Sequence, residues 1–222
     1  MMILANVRPT LTPAIMHHTL LIQGFGIRLR PVRMDDAKFI VWLRNQDFVK
    51  GRVGDSANTI EAQERWLTAY FERSDDYYFC VETLSGIPVG TIGLYEVAGD
   101  SAELGRLIIR PRIPAALPAT LLGYDLVHGT LGLAEARGTV VSTNTPMLRF
   151  IRQFGVRETK TVRASLSIAG SPVDIVHFRQ SSEDWAKVRG KLLPLAHFAE
   201  SKLLGATTAE MLPLIGEPRG SA

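Results

Sequence analysis

The sequence predicts one α/β domain: a mixed, mostly antiparallel sheet of six to seven strands with helices on both faces. Three observations predict it. Short alternating or β-branched segments are interleaved with longer segments of helical period. Three of the strand segments, between Tyr77 and Arg110, follow one another through tight turns, as in a meander. The length, 222 residues with 46% hydrophobic and 21% charged, suits a single domain with a sizeable core.

Residues 1–24 read as a loosely structured extension. I-R-L-R-P at 27–31 alternates as a half-buried strand. Asp35 opens a helix whose apolar side is Phe39, Ile40, Trp42 and Leu43. Residues 50–57 form a loop. Asn58, with Glu61 three residues on, has the form of a capping box for a helix that presents Gln63, Trp66, Leu67, Tyr70 and Phe71 on one face. Strands follow at 77–84, 89–97 and 102–110, turned by S-G-I-P and by Gly99-Asp100. Pro118 suits the first position of a helix from Ala119 to about Leu131. A short β-branched strand at 139–142 leads to Thr145 and Pro146 as N-cap and first helical residue, with Gly155 as the stop. Strands at 159–168 and 173–179 precede a helix capped by Ser182, which Pro194 kinks or ends. The domain spans 25–204, and 205–222 form a tail.

No apolar run reaches the roughly 18 residues that cross a bilayer, and the N-terminal stretch makes a poor signal peptide. Cys80 is the one cysteine, so no disulfide framework or thiolate metal cluster is expected. A cytoplasmic protein is the plain expectation. The net charge of +3 is too small to argue for nucleic acid. The segment from Leu104 to Arg163 nevertheless carries nine basic and three acidic residues, a basic middle suited to a phosphate-rich small molecule. Scattered solvated arginines would give the same count. Neither H-E-x-x-H, G-x-S-x-G nor a Walker loop occurs, so no metal is expected.

Several motifs in this order resemble the GNAT superfamily of acyl-CoA N-acyltransferases over roughly residues 26–186. L-R-P-V-R-M-D-D-A at 29–37 is similar to its opening strand and helix. A-E-L-G-R-L-I-I-R-P at 102–111 is similar to its central strand, and N-T-P-M-L-R-F-I-R-Q-F-G-V at 144–156 to the segment that begins with Asn. The nearest branches are the ribosomal-protein N-terminal acetyltransferases and the aminosugar acetyltransferases of the pseudaminic-acid pathway. W-L-R-N at 42–45, I-E-A-Q-E-R-W at 60–66, G-S-P-V-D-I-V-H-F at 170–178 and E-D-W at 183–185 resemble the second of these.

The resemblance implies acetyl-CoA as cosubstrate and a primary amine as acceptor. The backbone around Ile108 and Ile109 would pair with the pantetheine arm, and Asn144 would lie near the thioester. The pyrophosphate would meet the loop and helix start at Ala115, Ala116, Leu117, Ala119 and Thr120, with Arg110 or Arg112 supplying charge. Here the sequence departs from the family. P-A-A-L-P-A at 114–119 places Pro114 and Leu117 where a polar residue and a glycine are usual, and each proline removes an N–H donor. Ile151 occupies the place of a frequent general-acid tyrosine, which leaves Tyr95, Tyr124 or water.

Direct attack on a thioester needs a base for the amine proton. Glu103 is the first candidate and Glu96 the second; His177 is more simply a packed strand histidine. The acceptor cleft would draw on Arg44, Asn45, Arg52, Trp66 and Tyr95, with core packing as the alternative for Trp66. Three functions stay open. The chain acetylates a nucleotide-linked aminosugar, or it acetylates a protein N-terminus or small amine, or it is a non-catalytic binding module with a degenerate loop. Partners are a small-molecule amine with neither nucleic acid nor membrane, the protein being a monomer or homodimer.

Overall fold

The structure is a computed structural model that describes residues 2–3, 18–53, 58–168 and 170–206. Its described strands form one nine-stranded sheet: β1 (Met2–Ile3), β2 (Ile22–Gly24), β3 (Ile27–Pro31), β4 (Tyr77–Thr83), β5 (Pro88–Ala98), β6 (Ser101–Ile109), β7 (Glu135–Val141), β8 (Arg157–Ile168) and β9 (Ser171–Ser181). The spatial order is β1-β2-β3-β4-β5-β6-β7-β9-β8, antiparallel at every step except between β6 and β7. The helices are α1 (Ala37–Arg44), α2 (Ile60–Phe71), α3 (Ala116–Asp125), α4 (Thr145–Ile151) and α5 (Ser182–Gly205).

The alternation of β4 shows why helices cover both faces. Phe79 and Val81 enter the main core with Leu29, Ile92, Leu121 and Leu122, under α3 and α5. Tyr78 and Cys80 enter a second core with Ile40, Leu67 and Tyr70, under α1 and α2. On β3, Ile27 and Leu29 are fully buried while Arg28 and Arg30 turn the other way. Arg30 grips Asp36 with two nitrogens at 2.7 and 2.8 Å and also reaches Glu82 at 2.7 Å, which fastens the start of α1 to β4.

The sheet has two strands more than expected, both before Ile27. Residues 18–24 are not a loose extension. Ile22 is buried, and β2 forms a hairpin with β3 through Phe25 and Gly26, both in the left-handed region at φ 51° and 77°. That turn conformation calls for Asn-Gly or Asp-Gly, so Phe-Gly hides it from a sequence reading. Residues 4–17 of the expected extension, 54–57 of the loop and 207–222 of the tail lie outside the described residues.

Several caps move by one residue. Thr59, not Asn58, caps α2 by accepting from the Ala62 amide at 3.2 Å. Asn144, not Thr145, caps α4, and Ser181, not Ser182, caps α5. Gly155 stops the helical segment after α4 at φ 76°, as expected. Strand β7 starts at Glu135, four residues before the β-branched run, because Glu135–Arg137 pair in parallel with Ser101–Glu103. Helix α3 starts at Ala116, so Pro118 is its third residue. The first three amides of a helix have no intrahelical acceptor, so the proline sacrifices no hydrogen bond there. A single π-turn, Leu126–Thr130, completes the crossover.

Helix α5 runs through Pro194. Packing outweighs the one lost backbone bond: Trp185, Leu192, Ala196, Ala199 and Leu203 are all buried along it. Its anchor is Asp125 at the end of α3. This buried carboxylate accepts from the Trp185 indole at 3.1 Å and from Arg189 at 2.7 and 2.9 Å. Replacing it leaves the buried indole N–H of Trp185 unpaired and removes the partner of the half-exposed Arg189. Asp125→Ala is expected to cost about 2–4 kcal/mol of unfolding free energy in urea titration; an unchanged midpoint contradicts this role.

Candidate functional site

The site grows from a defect in the sheet. Strand β6 pairs with β7 at only three positions, Ser101–Glu103 against Glu135–Arg137. Beyond Glu103, β7 stays with β9 to Val141, while β6 stays with β5 to Ile109. The edge of β6 that faces β7 therefore has no strand partner from Leu104 onward.

The divergence has a local cause. Arg106 sits in the left-handed region at φ 52°, and the β5–β6 register slips between Thr91 and Gly93. Such a bulge bends its strand and raises its twist. Thr91 donates to the Arg106 carbonyl at 2.9 Å. The Arg106 guanidinium makes a two-point pair with buried Asp76, whose Oδ2 lies 2.8 Å from Nη2, and stacks over the Tyr95 ring at 4.3 Å. This clamp holds a conformation that a non-glycine residue adopts at a cost.

Between the diverging strands lies a cleft of about 270 Å³, walled by Leu104–Ile108 on one side and Ala136–Val141 on the other. It continues into a second hollow of about 230 Å³ through shared walls at Arg52, Val53, Leu107, Ile108, Asn144 and Met147. That hollow reaches Ala116, in the first turn of α3.

Glu103 lies at the point where the strands part. Its Oε1 accepts from Tyr95 Oη and Thr139 Oγ1, both at 2.9 Å, so one carboxylate joins β5, β6 and β7. Burial, then the Glu103 charge, raises the Tyr95 phenol above its ordinary pKa, so Tyr95 stays protonated and donates. Gly105 makes the arrangement possible, since a Cβ there would stand 2.6 Å from Tyr95 Oη.

The expected cofactor residues divide. Ile108 lines both hollows, Ile109 and Ala116 line the second, and Thr120 lines the first while its hydroxyl donates to the Ala116 carbonyl at 2.9 Å. Asn144 lines both, but its side chain is engaged. Oδ1 accepts from the Met147 amide at 3.3 Å, and Nδ2 donates to the Arg52 carbonyl at 3.4 Å. Ala115 and Ala119 are fully buried, and Leu117 packs on the core. The Ala115 amide is taken by the Ile113 carbonyl at 2.8 Å, so the first turn of α3 offers the amides of Ala116 and Leu117 alone.

The two arginines expected to bring charge do not line either hollow. The Arg110 guanidinium lies 4.0 Å from the Trp42 ring centre, and burial lowers its pKa to about 10. Arg112 is exposed at φ 67°. The charge near the α3 turn comes instead from Arg52, which lines both hollows.

On the acceptor side, Arg44, Arg52 and Tyr95 line the cleft. Burial, with the Arg106 charge adding to it, lowers the pKa of Arg44. Asn45 and Trp66 are placed elsewhere. Asn45 is exposed and donates to the Asn58 carbonyl at 3.1 Å. Trp66 stacks on Tyr70 at 5.5 Å and lies under Arg73 and Arg106, so the packing alternative holds. Glu96 sits at φ 51° with its carboxylate 3.7 Å from Arg137, and the carbonyl of His177 on β9 accepts from Thr159 of β8 at 3.3 Å. Thr139, Gly105, Asp76 and Arg179 also belong to the candidate site and were not singled out in the sequence; Arg106 and Arg137 appeared there only in the basic count of residues 104–163. Gly105 and Arg106, adjacent within a run of strand formers, were the available signal.

The model of the acetyltransferase (GNAT) domain matches residues 27–157. The chain belongs to the GNAT family. Among solved structures, this GNAT chain is similar to a GCN5-related N-acetyltransferase from Brucella melitensis (TM-score 0.70, 20% identity, 81% of this chain and 86% of that one). It is also similar to RimJ from Mycobacterium smegmatis in complex with CoA-disulfide (0.66, 22%, 79% and 92%). A spermidine N-acetyltransferase from Vibrio cholerae, a mutant form, superposes at 0.65 with 18% identity over 73% and 98%. At these identities the likeness shows the fold. No curated protein matches the chain. Among the described residues, no helix is long and apolar enough to cross a membrane.

Gly105→Ala is expected to push Tyr95 off Glu103. The substitution costs about 1–3 kcal/mol from overpacking and shifts the tyrosine absorbance and fluorescence of the site. A crystal structure of the variant with the Tyr95–Glu103 bond intact contradicts the account.

Proposed function

We propose that this GNAT domain is an acetyl-CoA-dependent N-acetyltransferase that acts on a primary amine of a small molecule. The observation that carries the reading is the unpartnered edge of β6 from Leu104 to Ile109, opposite β7 and open to a cleft. An extended amide-bearing arm adds to such an edge as a further strand. Leu107, Ile108 and Ile109 hold that arm in this reading, and the Ala116 and Leu117 amides with Arg52 meet its anionic end.

Acetyl-CoA supplies the activated thioester. The chain's own groups do the rest. Glu103, fixed by Tyr95 and Thr139, takes the proton from the attacking ammonium, directly or through one water. The amine nitrogen then bonds to the carbonyl carbon as the carbon–sulfur bond breaks. Tyr95 is committed to Glu103 and Ile151 has no hydroxyl, so in this reading the second proton, shed by the new amide nitrogen, passes through water to the departing thiolate, with Tyr124 at the cleft wall as the other candidate relay. A thiolate leaves readily, its ordinary pKa being near 8.5.

The acceptor favoured here is a nucleotide-linked aminosugar, supported by Arg44, Arg52 and Tyr95 at the cleft; Asn45 and Trp66 no longer support it. A cytoplasmic location goes with this reading. One observation favours a second reading, a non-catalytic module: Pro118 and the occupied Ala115 amide leave only two donors at the α3 turn.

Calorimetry with acetyl-CoA separates the readings. The enzyme reading expects saturable heat; no saturation at millimolar acetyl-CoA contradicts it. With an acceptor in hand, Glu103→Gln is expected to lower kcat about 10²–10⁴-fold while the Kd for acetyl-CoA stays within about threefold. An unchanged kcat removes Glu103 as the base.

A further inference from the structure

The cleft has a pronounced charge bias. Five arginines line it, Arg44, Arg52, Arg106, Arg137 and Arg179, and among the described lining residues there is neither Asp nor Glu. Arg106 is neutralised by Asp76. The other four come from α1, the loop after it, β7 and β9, so they converge from separate elements.

Two of them are placed in an unusual way. Arg137 and Arg179 stand directly opposite each other across the antiparallel β7–β9 pair. Side chains so paired share one face about 5 Å apart, and like charges there repel. Their carboxylate partners compensate weakly. Mostly exposed Glu96 stands 3.7 Å from Arg137, which also donates to its carbonyl at 3.0 Å, and half-buried Glu135 stands 3.3 Å from the more exposed Arg179. Arg137 is also the register partner of Glu103 on β6. The order across the sheet is therefore carboxylate, guanidinium, guanidinium, at strand spacings of roughly 4.8 Å. A molecule with an ammonium at one end and an anion at the other matches that order: the amine at Glu103, just beyond the lining residues where the strands part, and the anion over Arg137 and Arg179.

We infer that the acceptor is an amine that also carries an anionic group, phosphoryl or carboxylate, seated on the Arg137–Arg179 pair beside Glu103. The inference rests on the acetyltransferase reading and adds the subsite that holds the acceptor's anion. Guanidinium pairs hold both anions through paired N–H donors. A polyamine has no such anion, and its remaining ammonium groups would meet the arginines of the wall.

The test uses matched probes on the full chain with saturating CoA, read by calorimetry at two salt concentrations. Phosphoethanolamine is compared with ethanolamine, β-alanine with 3-aminopropanol, and spermidine serves as the polycation. The member of at least one pair that carries the anion is expected to bind at least about tenfold more tightly than its counterpart without it, with the preference shrinking in high salt. The pair that shows it tells phosphoryl from carboxylate. Arg179→Gln is expected to abolish the preference and Arg179→Lys to keep part of it, both with unchanged circular dichroism. Equal binding within both pairs, tighter binding of spermidine, or a full preference in Arg179→Gln overturns the inference. Failure of CoA itself to bind defeats the acetyltransferase reading; the same probes, titrated without CoA, then still decide whether the arginine pair selects anions.

Discussion

The rest of the site depends on the clamp that Asp76 places on Arg106. Residue 106 holds a left-handed backbone inside a strand, which a non-glycine residue does only when its surroundings compensate. A buried two-point carboxylate pair, a tyrosine ring beneath the guanidinium and a threonine bond to the carbonyl provide that compensation. The bulge turns β6 away from β7 after three paired positions, and everything functional follows from the gap. Glu103 stands at its apex, Leu107–Ile109 form one wall, and the arginines of β7 and β9 stand beyond the other.

The chemistry of the two ends of the cleft differs. Toward α3 the walls are largely apolar, with Phe48, Val49, Pro146 and Phe150, and Arg52 is the one charged residue among those described there. Two amides remain at the helix start. In the proposed reading, an anion at that end meets few donors, and the extended arm on β6 carries most of the contact. Toward β9 the walls are basic and open. The altered P-A-A-L-P-A segment starts α3 without a lost backbone bond: Pro118 occupies a helix position that donates no intrahelical bond, and Leu117 adds to the core.

Much of the fold was legible because local chemistry and tertiary structure agreed. The meander from Tyr77 to Arg110, the helix holding Leu67 and Tyr70, and Gly155 as a stop follow from period and capping alone. The Phe25-Gly26 hairpin did not, since its turn lacks the usual residues. Helix α5 did not, since the packing of Leu192 and Ala196 on either side of Pro194 is long-range. In the candidate site, Glu103 and Ile108 were singled out by the resemblance. Thr139, Arg137 and Arg179 were not, because their roles arise from register between strands far apart in the chain. Arg110 was misassigned for a similar reason: Trp42, which holds its guanidinium, is 68 positions earlier in the chain, and nothing local marks the pair.

The central claim is that the free edge of β6 receives the acyl donor's extended arm. Amide hydrogen exchange with and without acetyl-CoA tests it most directly. The account predicts that the donor slows exchange in the peptide covering Leu104–Ile109 and in the first turn of α3, while β3 and β4 are unaffected. Unaltered exchange along β6 at saturating donor would contradict it.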